Sequence, residues 1–180
     1  MPKISVPHDE YLTQTLRRLR SPGLLLVTAG ANGKPNPMTI GWAAIGTFWA
    51  KPCFTIVVRP SRYSYLLLVE SGDFTVNVAP PSLAETVAYC GKVSGRDHDK
   101  FAERGLTAMP SATVRAPIIA ECVVHYECRT LYQDDLDPEA LPAAVRTQCY
   151  PRQDYHRVFI GEILATSADP DAARLLGAQG

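Results

Sequence analysis

The chain has 180 residues, 46% of them hydrophobic and 20% charged, with 18 Lys plus Arg balanced by 18 Asp plus Glu. That length suits one domain with a sizeable core, and the composition is that of a globular rather than a disordered or fibrous chain. The even charge, with no long basic run in either half, argues against a polyanion as main partner, so no nucleic-acid role is expected.

The opening "MPKISVPHDEYL" has no apolar stretch of the signal-peptide kind, and runs such as "LLLV" at 24–27 are far too short to cross a bilayer. No membrane role is expected, and the protein is placed in the cytoplasm. Residues 9–20 follow with Leu12, Leu16 and Leu19 at helical spacing behind Asp9 as a cap, a short amphipathic helix that "SPG" at 21–23 ends. "LLLVTAG" and "NPMTIGWAAIGTFW" are β-compatible runs joined by "ANGKP", where Asn32-Gly33 offers the positive φ angles of a tight hairpin. They are expected to pair antiparallel.

"CFTIVVR" (53–59) is a further strand, 61–72 a helix, and "DFTVNVA" (73–79) a strand. In that last segment Phe74, Val76 and Val78 alternate with Thr75 and Asn77, the pattern of a half-buried strand. Residues 82–91 and 97–105 read as short surface helices, the second with Asp caps and a terminal Gly. Two long strands, 118–132 and 155–167, close the chain around a polar, proline-bearing segment. At least five strands with hairpin signals and gaps too short for crossover helices predict a mainly β fold with peripheral helices, an antiparallel closed or split barrel.

Several motifs fail. "GANGK" lacks the spacing of a phosphate-binding loop, and Pro35 stands where Ser or Thr is needed after Lys34. There is no G-x-G-x-x-G, H-E-x-x-H or G-x-S-x-G. The acidic run Asp134, Asp135, Asp137 and Glu139 has no turn glycine and is broken by Pro138, so it reads as a solvated loop. His8, His98, His125 and His156 show no i, i+4 pair, and no metal site is expected. The five cysteines, 53, 90, 122, 128 and 149, include no C-x-x-C and read as reduced thiols. Cys122 and Cys128, on one face of a strand but roughly 20 Å apart, are too distant to share an ion.

Three basic and polar clusters remain: "RPSRYS" (59–64), "KVSGRDHDK" (92–100) and the start of the "NPMTIGW" strand. Each puts hydroxyls, backbone donors and Lys or Arg at an element boundary, which suits a phosphate monoester if the fold unites them. Prolines 35 and 37 remove main-chain donors and mark an edge-like strand, either to leave neighbouring groups free for a ligand or to protect an edge from aggregation.

In order and spacing, "PNPMTIGW", "RPSRYSYLLLVESGDFTVNV", "YCGKVSGRDHDKFAERGLT", "APIIAECVVHYECR" and "HRVFIGEI" resemble the flavin reductase-like family, in its flavoredoxin branch, over about residues 20–168. The resemblance implies a homodimeric split barrel holding FMN non-covalently, reduced by NAD(P)H and passing electrons to an acceptor or partner oxygenase. It divides the chain into a helical arm (1–20), an FMN-binding barrel (21–168, with an insertion at 133–154) and a tail (169–180). Carried over by motif, Asn36, Pro37, Met38, Thr39, Ile40 and Gly41 run beside the flavin ring and Trp42 walls it. Ser61, Arg62 and Ser64, with Ser94, Arg96 and Lys100, hold the phosphate, and His156 approaches the ring. Tyr63 and Tyr65 are bulkier than the family's residues at the phosphate turn, and the 133–154 segment is longer than the family's connection, a lid or dimer contact. No residue is assigned as catalytic, because the flavin does the chemistry. The alternative is a flavin-binding electron carrier or docking module without productive NAD(P)H oxidation.

Overall fold

The computed structural model describes residues 2–177; Met1 of the expected arm and residues 178–180 of the expected tail lie outside the described residues. After a short strand β1 (Ile4–Ser5), helix α1 covers Leu12–Arg20. It starts later than expected: Asp9 offers its backbone carbonyl to the Leu12 N–H rather than a side-chain cap. Thr15 and Leu19 face inward, the Thr15 hydroxyl lying 2.9 Å from that of Tyr126, while Leu16 is left exposed.

β2 (Leu24–Ala29) and β3 (Pro35–Ile40) form the expected antiparallel pair, with Leu24 opposite Ile40 and Ala29 opposite Pro35. Their connection, 30–34, is looser than the expected turn. Gly33 alone there takes a positive φ, 73°, and Asn32 instead accepts the Lys34 N–H through Oδ1. The run "NPMTIGWAAIGTFW" breaks at Gly41-Trp42 into β3 and β4 (Ala43–Phe48), and β4 pairs with β5 (Lys51–Val58). The β4–β5 turn carries Trp49 and Ala50 at φ 51° and 58°. This is the left-handed geometry such hairpins require, here adopted by two residues that disfavour it.

The main path runs β3-β2-β6-β9-β10-β5-β4, with β6 (Asp73–Val78), β9 (Val124–Asp135) and β10 (Arg157–Ala168) at its centre and every neighbour antiparallel. β3 and β4 end that path, yet residues 41 and 42 alone separate them in the chain. A trans chain advances about 3.8 Å per residue, so the two edges are drawn together and the sheet must curl. The result is an antiparallel split barrel, open between β3 and β4.

Its interior is packed by Leu24, Leu26, Phe54, Phe74, Tyr126 and Phe159. Gly161 is required there, since a Cβ would meet Phe74 Cζ at 2.5 Å. A second apolar cluster lies outside the sheet, where α3 (Ala84–Lys92), α4 (Lys100–Glu103) and the following segment cover Leu25 and Val27 with Val87, Cys90, Phe101 and Ile119. This cover corrects two expectations. The helices at 84–92 and 100–103 bury an inner face rather than lie on the surface, and β6 is buried on both faces rather than half-buried. Thr75 donates to Pro117 O, and Asn77 donates to Leu25 O while accepting the Ile119 N–H, so the polar face is satisfied inside.

The expected strand 118–132 also divides. β8 (Ile118–Ile119) pairs with β7 (Ala108–Met109) off the main sheet, and β9 begins at Val124. Cys122 joins the outer cluster and Cys128 the inner one, so they do not share a strand face. The insertion extends β9 to Asp135, ion-paired with Arg157 at 2.7 Å, then folds back through helix α5 (Ala143–Cys149). Beyond β10, helix α6 (Ala172–Leu175) and Leu176 return Ala172 and Leu176 to the inner core. No helix among the described residues is long and apolar enough to cross a membrane.

Candidate functional site

The open seam of the barrel carries two adjoining hollows. The first, of about 240 Å³, is bounded by Met38–Trp42, by Val57 and Val58 on β5 and Arg59 just after it, and by Arg62 and His156. The second, of about 90 Å³, is bounded by Asn36, Met38, Ser61–Ser64, Val93–Arg96 and Lys100. Met38 and Arg62 line both, so the hollows are continuous. Of the fourteen carried-over residues, thirteen line these hollows: Thr39, Ile40, Gly41, Trp42 and His156 the first, Asn36, Ser61, Ser64, Ser94, Arg96 and Lys100 the second, and Met38 and Arg62 both; Pro37 lines neither.

Local structure explains the convergence. β3 is an edge strand, so Pro35 and Pro37 omit no ladder bond on their free side. Pro37 O accepts from Lys100 Nζ at 2.9 Å, and the Thr39 hydroxyl donates to Val87 O, which ties β3 to α3 and α4. Helix α2 (Tyr63–Ser71) ends on Gly72 in the left-handed region and begins at the second hollow, where the amides of its first residues precede the intrahelical ladder, a preferred place for an anion. Asn36 Nδ2 donates to Ser64 Oγ at 2.8 Å. Gly95 closes against both elements, since a Cβ there would lie 1.9 Å from Asn36 Oδ1 and 2.8 Å from Tyr63 Cδ1.

The electrostatics of the second hollow are unusual for a protein surface. Arg62 Nη2 donates to Gly91 O at 2.6 Å, Arg96 Nη1 to Ser61 O at 3.0 Å, and Lys100 Nζ to Pro37 O and to Cys90 O at 3.0 Å. Each cation is aimed by backbone carbonyls. None of the three is within ion-pair distance of a carboxylate among the described residues. Lys100 is 2% exposed, and burial, with Arg62 beside it, pushes its pKa down to about 8. Two of its three donors are used, which leaves one for a ligand.

The first hollow differs in character. Trp42, about half exposed, lies with its ring 5.1 Å from that of His156. Burial, reinforced by the Arg59 charge, lowers the His156 pKa to about 4, so the imidazole is neutral at pH 7. Its Nδ1 sits 2.8 Å from the Tyr150 hydroxyl. Arg59 lies over the Tyr150 ring at 5.2 Å and donates to Cys149 O at 2.9 Å. The Ser61 hydroxyl donates to Asp154. The end of the insertion thus closes on the site from the β5 side. Sequence reasoning missed Arg59, Tyr150 and Gly95. Arg59 had a signal, since it opens the "RPSRYS" cluster, and Gly95 sits inside "KVSGRDHDK"; Tyr150, in a segment with no periodicity, had none. Among the described residues no group of three or more His, Cys, Asp or Glu is placed to hold a metal.

Comparison with known proteins agrees with this architecture. An uncharacterized protein of Archaeoglobus fulgidus is 30% identical over 139 residues, 77% of this chain and 68% of that protein. The structure is similar to flavoredoxin of Desulfovibrio vulgaris (Miyazaki F), with a TM-score of 0.67 and 27% identity over 82% of this chain and 69% of that one. It also shares its fold with flavoredoxin from Methanosarcina acetivorans, with a TM-score of 0.64 and 24% identity over 95% and 77% of the two chains. Residues 16–180 match the flavin reductase like domain, and with the split barrel and its seam already described, the chain belongs to that family.

Proposed function

We propose that the two hollows together hold FMN and that the chain is an FMN-dependent oxidoreductase reduced by NAD(P)H. The observation that carries this reading is the set of three convergent cations with no carboxylate partner among the described residues, beside a hollow walled by Met38, Ile40 and Trp42. Unneutralised like charges repel, and a phosphate dianion relieves that repulsion while meeting Ser61, Ser64 and Ser94 as hydroxyl partners. The residues present fit the group: cations and a helix start for the phosphate, an apolar and aromatic wall for a ring.

Bound FMN would supply two-electron chemistry, taking a hydride from the nicotinamide and passing electrons to an acceptor such as a partner oxygenase. The protein's residues bind and orient. Arg62, Arg96 and Lys100 hold the phosphate, Asn36 and Thr39 present polar groups along the strand, and Trp42 with neutral His156 encloses the ring and limits water. We place the protein in the cytoplasm as a homodimer; the exposed apolar side chains Phe48, Trp49, Leu131 and Tyr132 support a second copy as partner. One observation favours the reading of a carrier without productive NAD(P)H oxidation: residues 149–155 close on the first hollow, where a nicotinamide would have to stack.

The test is direct. The purified protein should take up FMN with quenching of flavin fluorescence, and anaerobic NADH or NADPH should bleach the bound flavin on a turnover timescale. Uptake without bleaching would support the carrier, and no uptake would refute the reading.

A further inference from the structure

Arg59 is a cation that the phosphate reading does not use. It lines the first hollow only, away from Ser94, Arg96 and Lys100. One N–H group donates to Cys149 O, and its face lies on the Tyr150 ring, which leaves donors of the guanidinium uncommitted. No carboxylate stands within ion-pair distance of it among the described residues. The carboxylate whose charge is felt at neighbouring His156 is that of Asp154, and the Ser61 hydroxyl engages it. The other polar side chain at this end, His156, is hydrogen-bonded to Tyr150 and held neutral. Arg62, the remaining cation of the first hollow, stands at its junction with the second and is tied to Gly91 O.

We infer that Arg59 supplies the positive charge that makes this hollow favour the reduced, anionic flavin ring over the oxidised, neutral one. The inference rests on the FMN reading. Hydride transfer from a reduced nicotinamide gives the ring two electrons and one proton, the nicotinamide leaving as its oxidised cation, and the ring gains one negative charge. A fixed cation in a partly water-excluded hollow stabilises that charged state and is nearly indifferent to the neutral one. Arg keeps its charge across the accessible pH range, so the bias does not titrate away, as it would if a histidine provided it. This assigns the task of charge stabilisation to Arg59 rather than to His156, which is held neutral. Cys149 offers a carbonyl and Tyr150 a ring face, which aim the cation without neutralising it.

The test compares affinities for oxidised and reduced FMN, each measured anaerobically by titration of the full chain, the reduced form prepared with dithionite. Arg59→Gln removes the charge but retains a donor for Cys149 O; Arg59→Lys retains the charge but loses the planar fork. Arg59→Gln is expected to weaken reduced FMN about tenfold more than oxidised FMN, equivalent to a midpoint potential lower by about 30 mV for a two-electron couple. Arg59→Lys is expected to keep the wild-type ratio of the two affinities. If Arg59→Gln changes both affinities equally or neither, or if the Lys variant matches the Gln variant, Arg59 is a tether of the insertion and the inference is overturned. Failure of the wild-type protein to bind FMN in either state would instead refute the cofactor reading, and the inference with it.

Discussion

At the Asp73 corner two arginines share one carboxylate; at the second hollow three cations share none among the described residues. Arg129 Nε lies 3.2 Å from Asp73 Oδ1 and Arg115 Nε 3.7 Å from Oδ2, and both also donate to backbone carbonyls, of Thr113 and Ser71. There the cations fasten the 110–117 segment to the sheet, and their charge is spent inside the protein. Arg62, Arg96 and Lys100 use the same carbonyl tethers without the carboxylate. A tether without a counter-charge positions a cation and leaves its field available. Under the proposed FMN reading, the two corners separate cations that hold the fold from cations that meet a ligand.

The largest expected effect tests the reserved side. Lys100→Met should raise the dissociation constant of FMN by about 10- to 100-fold, or ~1.4–2.8 kcal/mol. The melting temperature of the ligand-free protein should stay level or rise, because a desolvated cation is removed. A large loss of stability with unchanged FMN affinity would erase the distinction. Asp73→Asn is the mirror experiment: it should destabilise the fold by about 1–3 kcal/mol in chemical denaturation and leave FMN affinity within twofold.

Gly95→Ala comes next. A methyl group placed 1.9 Å from Asn36 Oδ1 must push the 93–96 loop off β3, so FMN affinity should fall about tenfold or more with only a modest loss of stability, of order 1 kcal/mol.

The lowered pKa of Lys100, about 8 against an ordinary 10.5, sharpens the contrast through pH. Between pH 8 and 10.5 the unfolded chain binds more protons at this site than the folded one, so stability of the ligand-free protein should gain from Lys100 as pH rises through that window. FMN affinity should fall over the same rise, toward tenfold per pH unit, as binding the dianion comes to require proton uptake. The acid side behaves differently. Burial lowers the pKa of His125 to about 3 and that of His156 to about 4. Their contribution to stability is complete above pH 6.5 and is lost as pH falls through the window to 4 and then 3, at up to ~1.4 kcal/mol per pH unit for each group. Urea midpoints measured from pH 7 to 4 would show it.

The smallest expected effect concerns Asp154. The Asp154 carboxylate accepts a hydrogen bond from the Ser61 hydroxyl. Asp154→Asn should therefore tighten FMN about two- to threefold, by removing a competitor and a repelling charge.

Much of this could be read from residue order because the determinants are local. Alternation, prolines and Gly33 specify β2, β3 and β6, and hydroxyls with basic residues at element boundaries specify the second hollow. What could not be read depends on contacts distant in sequence. Thr75 and Asn77 look solvent-facing until the segment after α4 folds over them, and Leu16 looks like core until Thr15 meets Tyr126. Tyr150 joins the site because the insertion turns back, which no periodicity announces. Trp49-Ala50 hides a hairpin because its residues are not those that usually make one.

Because β3 and β4 are joined by Gly41-Trp42 and share no ladder among the described residues, the barrel wall at the seam is held by a two-residue link and not by strand pairing. Under the proposed FMN reading, a flat guest seated beside Met38 and Trp42 would meet strand edges that share no hydrogen bonds, and so would break none of the sheet's pairing.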